Sequence, residues 1–438
     1  MNLKFLLLSI ITAFFMGSCN RSDSSSRNVA GSKSTGVVQL GDTFLLMRNG
    51  KPYFIKGAGG ESRLKRLAEA GGNSLRIWDD NDADRILDQA RQNGLSVLFG
   101  LWIEREIDGF DYYNQDAVDR QFERIRKTVL KYKNHPAVLM WCVGNEWNLR
   151  ARNIQVYDEI NRIAAMIHEI DPNHPVTTAI GSNRSQTFAV LKDRCPEIDI
   201  LSINVYGEMF RLEERLQTGG WTGPYLISEF GPLGHWESEN TEWKAPIEPF
   251  SHQKSEFIRS IYRKFIGSRP PACLGSYVFL WGVKEEGTHT WYSFFDNAGR
   301  ETELVETMQE LWTGKAPANK APRIEKVLVD GQESPSWTWE ARDQIHTAEV
   351  SGFDPDGDTL TYLWEIRPQA RQRLDYDYHD TPLVPMDGLI ESARAPKIRF
   401  RLPRSAGEYR LFVYVFDPRR HVGTANIPFQ VTASVPNP

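Results

Sequence analysis

The sequence predicts an α/β protein: a (β/α)8 TIM barrel followed by a C-terminal immunoglobulin-like β-sandwich. Three observations predict it. Eight short apolar segments alternate with amphipathic segments of helical period between residues 53 and 281. Their spacing, about 28 residues per unit, is that of a barrel of roughly 250 residues. After the Pro- and Lys-containing stretch WTGKAPANKAP at 312–322, the texture changes to short alternating runs separated by turn residues.

In chain order, the start reads MNLKFLLLSIITAFFMGSC. Lys4 supplies a positive region, and 5–16 is an apolar run too short to span a bilayer but suited to a signal-peptide core. Met16-Gly17-Ser18-Cys19 resembles a bacterial lipobox, which implies cleavage before Cys19 and a lipid on its sulfur. The expectation is a signal peptide at 1–18 and a lipid-anchored protein of the outer membrane, on its surface or periplasmic side. Residues 19–40 are rich in Ser and Gly and read as a flexible tether. No other apolar run approaches the length of a membrane span.

The barrel is expected over 41–313. Its strands are expected at 53–57, 74–78, 97–101, 138–143, 176–180, 200–204, 225–229 and 276–281. Each is a continuous apolar run, as a sheet covered on both faces requires. Helical periods lie at 62–70, 83–92, 117–131, 157–170 and 254–265. Gly71-Gly72, Asn93-Gly94 and Asp171-Pro172 punctuate them. A doubly wound sheet is the rival, but Gly57-Ala58-Gly59-Gly60 lacks the dinucleotide-binding spacing.

A linker at 314–322 leads to a sandwich over 323–434, with strands expected at 327–329, 346–351, 359–366, 398–402, 409–416 and 427–431. The run Phe353-Asp354-Pro355-Asp356-Gly357-Asp358, followed by Leu360, Tyr362 and Trp364, resembles a turn of polycystic-kidney-type and cadherin-like modules. Its three carboxylates offer oxygen ligands for Ca²⁺, but a plain Asp-Gly turn explains them more simply.

Composition narrows the function. The 438 residues carry 52 Lys and Arg against 57 Asp and Glu, a net charge of −5 without the basic excess of a nucleic-acid binder. Four cysteines, one of them Cys19, leave Cys142, Cys195 and Cys273, which form neither a disulfide framework nor a zinc spacing. The 13 Trp are the unusual feature, because indoles serve cores and flat ligand platforms alike.

The chemistry of such a barrel sits at the C-terminal ends of its strands. Strand four runs into Gly144-Asn145-Glu146-Trp147, and strand seven into Ser228-Glu229-Phe230-Gly231. A carboxylate ending a buried strand is costly unless paired or used. Two facing carboxyls are what glycoside hydrolysis needs, one as proton donor and one as nucleophile, and at about 5 Å apart they imply retention of configuration. That chemistry requires no metal and no organic cofactor.

These motifs resemble the large clan of retaining (β/α)8 glycosidases, clan A, which includes families 2, 5, 17 and 72. The resemblance implies that Glu146 is the acid/base and Glu229 the nucleophile. Asn145 matches the residue that contacts the sugar 2-hydroxyl. Arg76 matches the strand-two Arg that keeps the nucleophile ionised, as a neighbouring guanidinium does. Tyr206 matches the strand-six Tyr bonded to the nucleophile, and Trp281 the sugar-platform Trp. The architecture is not that of family 2, which carries β-sandwich domains ahead of its barrel. A lipobox, one barrel and one C-terminal module are most similar to glycoside hydrolase family 158, the endo-β-1,3-glucanases of gut Bacteroidetes. The resemblance implies an anchored monomer acting on internal bonds of a glucan such as laminarin, with no nucleic-acid partner.

Trp102, Trp147, Trp236 and Trp291 follow strands and are either sugar platforms or core, with Trp147 and Trp236 taken as substrate-binding. Glu104 and Glu106 read as solvated loop charges. His235 either lines the cleft or caps a loop. His135 and His174 precede strands and belong to the stability face. Two alternatives stay open: hydrolysis or transglycosylation of another β-glycan such as mannan or mixed-linkage glucan, and a non-catalytic glycan-binding lipoprotein.

Overall fold

The computed structural model describes residues 34–181, 184–340, 344–369 and 383–433. Cys19, the expected signal peptide and most of the expected tether lie outside the described residues.

Eight parallel strands close into a barrel. They are Ile55–Gly59, Ser74–Ile77, Ser96–Leu101, Val138–Asn145, Val176–Ile180, Ile200–Asn204, Tyr225–Phe230 and Cys273–Val278. The continuous apolar runs are buried along nearly their whole length, because barrel side chains on one face and helices on the other exclude water. The expected helices form at Leu64–Glu69, Ala83–Gln92, Gln115–Tyr132, Gln155–Ile170 and Ser251–Phe265. Asn114 caps the third by accepting from the Ala117 amide at 3.2 Å, one turn ahead of the first periodic apolar residue. Ser185–Arg194, Leu212–Thr218 and Glu303–Thr313 complete the ring.

The eighth strand departs from its expected span. It begins at Cys273 and ends at Val278, three residues before Trp281. Gly275 permits this, since φ is +122° and a Cβ there would lie 2.2 Å from the Ile55 carbonyl oxygen. Trp281 therefore belongs to the loop that follows the strand.

The expected tether also ends earlier than residue 40. Thr35–Leu40 pairs antiparallel with Thr43–Arg48, which pairs with Lys51–Pro52. This small sheet covers one end of the barrel: Leu46, with Val37 and Phe44, packs on Ile55, Leu98, Leu139 and Met140. The apolar residues in 37–47 gain burial there that a tether would forgo. His174 is hydrogen-bonded to Asp171 and Ser34 at this same end, a structural role.

Among the described residues, the C-terminal module forms two four-stranded sheets. One joins Arg323–Val329, Ile345–Phe353, Lys397–Arg401 and Ile390–Glu391. The other joins Trp337–Glu340, Val422–Thr432, Gly407–Phe416 and Thr361–Pro368. Pairing is antiparallel except for Trp337–Glu340, which runs parallel to the last strand. Trp364 is buried between the sheets and donates to the Ala395 carbonyl at 2.9 Å.

Barrel and sandwich share a buried polar junction at the loops that follow strands seven and eight. Glu248 accepts from Lys254, from Thr288 and Thr290 at 2.5 and 2.8 Å, and from Asn426 of the sandwich at 2.6 Å. Arg410 of the sandwich reaches Asn426 and the Pro246 carbonyl. The three cysteines Cys142, Cys195 and Cys273 are free and buried, and burial pushes their thiols up to about 11, 12 and 11. Among the described residues, no helix is long and apolar enough to cross a membrane.

Candidate active site

The ends of strands two, four, six and seven bring five polar side chains into one connected cluster. Strand seven places Glu229, whose residue is 7% exposed. Arg76, from strand two, donates through Nη1 to Glu229 Oε1 at 2.8 Å and to the Ser228 carbonyl at 2.8 Å. Its Nη2 donates to Asn145 Oδ1 at 2.6 Å. A buried carboxylate is tolerated here because a buried guanidinium and two further donors face it.

Those further donors are Trp78 and Tyr206. Trp78 Nε1 donates to Glu229 Oε1 at 3.0 Å, and the Tyr206 hydroxyl donates to Oε2 at 3.0 Å. Both carboxylate oxygens are thus fixed and the plane of the carboxylate is set. Burial holds the Tyr206 phenol well above its ordinary range, reinforced by Glu229, Tyr292, Glu286 and Glu146, so it stays a donor at neutral pH.

Glu146 sits one residue past strand four in a left-handed backbone, φ +50°, preceded by Gly144 at +74°. The two positive φ values turn the chain out of the strand and present the carboxyl above the barrel end. Gly181 makes room for it, since a Cβ there would lie 2.8 Å from the Glu146 carboxyl carbon. Asn204 Nδ2 donates to Glu146 Oε1 at 3.0 Å.

Asn145 accepts through Oδ1 from Arg76 and, at 3.1 Å, from Asn204 Nδ2. Both partners are donors, so its amide oxygen must face them, and its N–H2 group lies on the opposite edge.

The aromatic residues divide in a way the sequence leaves open. Trp236 is 56% exposed and packs edge-on against Tyr206, with ring centroids 5.4 Å apart. It offers an open indole face. Trp147 and Trp281, expected as substrate contacts, are corrected to core positions. Trp147 is fully buried and donates to Thr178 Oγ1 at 2.7 Å. Trp281 is 1% exposed and packs among Phe294, Phe295 and Trp312. An indole covered on both faces has none to give a sugar. Trp291 is likewise buried and donates to the Leu233 carbonyl.

Glu106 is not merely a solvated charge, because its Oε2 accepts the Arg152 and Asn153 amides and ties two loops together. His235 lines the aromatic wall against Trp236, Trp291 and Tyr292, and burial lowers its imidazole to about 4.

Sequence reasoning passed over Trp78, Asn204, Phe279 and Tyr292. Trp78 and Asn204 stand at the ends of strands that it did locate. Phe279 and Tyr292 pack edge-on against Tyr206, and Phe279 also against Trp78. No local motif marks Tyr292, which a loop brings there, whereas Phe279 directly follows strand eight and lies inside its expected span.

Residues 94–248 match the family described as "Glycosyl hydrolases family 2, TIM barrel domain", a span that contains both Glu146 and Glu229. The barrel is similar to those of clan A glycosidases. The β-glucuronidase of Pongo abelii is 25% identical over 42% of this chain and 31% of its own length. "Probable mannan endo-1,4-beta-mannosidase F" of Aspergillus flavus is 23% identical over 31% of this chain and 35% of its own. The chain thus matches about a third of the length of these curated relatives. Among solved structures, the β-D-glucuronidase of Dictyoglomus thermophilum superposes with a TM-score of 0.50 at 19% identity, covering 65% of this chain and 54% of that one. At that identity the likeness speaks for the barrel fold.

Proposed function

We propose that this protein is a retaining glycoside hydrolase that cleaves internal β-1,3-glucosidic bonds of a neutral glucan such as laminarin. The observation that carries the reading is the cluster itself. Glu229 has both oxygens fixed by Arg76, Trp78 and Tyr206, and Glu146 is joined to it through Asn204 and Asn145.

In this reading Glu229 attacks the anomeric carbon while the bond to the glycosidic oxygen breaks. Glu146 gives its proton to that oxygen, and the leaving sugar departs. Water then attacks the glycosyl-enzyme carbon. Glu146 takes the water's proton, the bond to Glu229 breaks, and the sugar leaves with its configuration retained. Arg76 holds the negative charge that Glu229 carries before attack and regains at the end. The Asn145 amide N–H2, whose oxygen is taken by Arg76 and Asn204, donates to a sugar hydroxyl in this reading. Trp236 supplies an indole face for a neighbouring sugar ring.

The β-1,3 linkage and endo action rest on the resemblance to family 158. The glucuronidase relatives support a second reading, a β-glucuronide. A lipid on Cys19 would hold a monomer at the outer membrane, which a Cys19→Ala variant found still in the membrane fraction would refute.

Oligosaccharide profiling tests the reading, with linear β-1,3-glucan, mixed-linkage glucan, β-mannan and an aryl glucuronide as substrates. A size ladder from the β-1,3-glucan supports it. A single small product removes the endo assignment, and turnover of the mannan or glucuronide alone moves the substrate class. Binding without turnover on any of the four returns the protein to the glycan-binding class.

A further inference from the structure

The turns of the sandwich nearest the linker hold a group of carboxylates unrelated to the barrel chemistry. Asp354 follows strand Ile345–Phe353, Asp358 precedes Thr361–Pro368, and Asp417 follows Gly407–Phe416. One oxygen from each lies within 4.8 Å of the others. The trio is not the one the sequence motif offers. Asp356 turns away and accepts the Lys320 amide at 2.7 Å, while Asp417 arrives from 59 positions further along the chain than Asp358.

Asp354 and Asp417 each spend one oxygen on their own turn. Asp354 Oδ1 accepts the amides of Asp356 and Asp358 at 2.8 and 3.3 Å. Asp417 Oδ1 accepts those of Arg419 and His421 at 2.9 and 2.7 Å. The second oxygens are the anomaly. Asp354 is 8% exposed, and its Oδ2 is buried without a hydrogen-bond partner. Asn319 Oδ1, from the linker, is buried without a hydrogen-bond partner as well, and Asp358 Oδ2 makes no hydrogen bond, its cationic neighbour being Arg419 at 3.4 Å. All three oxygens are acceptors, so what is missing is a donor or a cation. Asp417 Oδ2 takes one N–H from Asn319 at 2.6 Å and lies 3.2 Å from His421 Nδ1. Against three carboxylates the nearby guanidinium is that of Arg419, mostly exposed and 3.4 Å from Asp358 Oδ2. Water supplies donors but leaves the mutual repulsion of the carboxylates in place.

We propose that Asp354, Asp358 and Asp417 bind a calcium ion, with Asn319 beside them. Carboxylate and amide oxygens without sulfur select a hard cation. Ca²⁺, with oxygens at about 2.4 Å and a flexible coordination number, accepts the irregular geometry that three separate turns provide. Mg²⁺ demands about 2.1 Å, regular octahedral geometry and several retained waters. The position gives the ion a consequence. The turn that carries Asp417 docks on the barrel, where Arg420 donates to the Ala298 carbonyl at 2.6 Å and Glu301 accepts and donates backbone bonds with the same turn. An ion at this point ties the linker, both sheets of the sandwich and the barrel loop into one unit.

The test is thermal melting of the full chain after EDTA treatment and desalting, with Ca²⁺ or Mg²⁺ restored at about 1 mM. Calcium is expected to raise Tm by about 3 °C or more, with about one ion bound per chain by calorimetry. Asp358→Asn, which leaves the turn amides their acceptors, is expected to lose that gain while folding normally, and Asp354→Asn to lose it too. No response of the unmutated chain, an equal response to Mg²⁺, or an undiminished response in Asp358→Asn overturns the assignment.

Discussion

Asn204 donates its amide to Glu146 Oε1 at 3.0 Å, and its own Oδ1 accepts from Arg76 Nη1 at 3.1 Å. Arg76 Nη1 is the same nitrogen that holds Glu229. One amide therefore spans the two carboxyl groups, fixing Glu146 from one edge and the guanidinium that holds Glu229 from the other. Ser228 Oγ, donating to Asn204 Oδ1 at 2.7 Å, keeps the amide from flipping. Removing the span in Asn204→Ala is expected to lower kcat by about 10²-fold, the scale of one preorganised donor, with a smaller change in KM. Steady-state kinetics on the responsive glucan checks this, and an unchanged kcat refutes the role.

Trp78 and Tyr206 bind different oxygens of one carboxylate. Arg76 keeps its hold on Oε1 after either loss, so each loss loosens a carboxylate that stays anchored and the second adds less than the first. Trp78→Phe and Tyr206→Phe are each expected to cost about 10²-fold in kcat, and the double variant well short of the product of the two. A double-mutant cycle measures the coupling. Full additivity means the two donors act independently and the carboxylate is held by Arg76 alone.

How legible this was depends on where each side chain gets its position. Glu146, Glu229, Asn145 and Arg76 stand on strands whose apolar runs are unmistakable, and a strand end in a barrel is a place in space. Trp78 and Asn204 had the same address, but an indole or an amide at a strand end carries no chemical alarm comparable to a buried carboxylate. Trp281 shows the opposite failure. The expected strand runs three residues too far, because the real one pairs from Cys273, earlier than the apolar run suggests, with Gly275 allowing the close approach to Ile55. The residue then falls into a loop that folds back into the core. Tyr292 is beyond reach, since its contact with Tyr206 depends on a long loop held by the sandwich, while Phe279 stands at a strand end with an aromatic ring that carries no chemical alarm. The edge strand Trp337–Glu340 was also missed: four residues pairing parallel to the chain's last strand leave too short an alternation to read.

Those loops rest on Glu248, a buried carboxylate facing two cations. Burial alone pushes its carboxyl up, but Lys254 and Arg410 outweigh this and hold it below the ordinary range. Replacing it in Glu248→Leu leaves both cations buried and unmatched. The expected loss is about 3–5 kcal/mol of stability, read from urea denaturation. Because Thr290 is two residues from Tyr292, activity at a temperature where the variant remains folded is expected to fall as well. A variant as stable as the parent shows that the junction is not what holds the loops.

Glu306 makes stability depend on pH in a direction that can be worked out. Its carboxyl is buried on helix Glu303–Thr313, accepts the Ala321 amide of the linker, and is pushed up to about 8 by burial, with Glu303 and Glu301 adding to the shift. A carboxyl with a folded value above its unfolded one binds its proton more tightly in the native state. Its contribution is complete below the ordinary value of about 4.5 and is lost as pH rises through about 8. The loss over that window is on the order of 5 kcal/mol. Glu306→Gln keeps the acceptor for Ala321 and stays neutral throughout, so it should match the parent near pH 4.5 and exceed it above pH 8. Urea denaturation at these two pH values decides the matter: parallel curves for parent and variant mean that Glu306 titrates normally and the linker is held by other contacts.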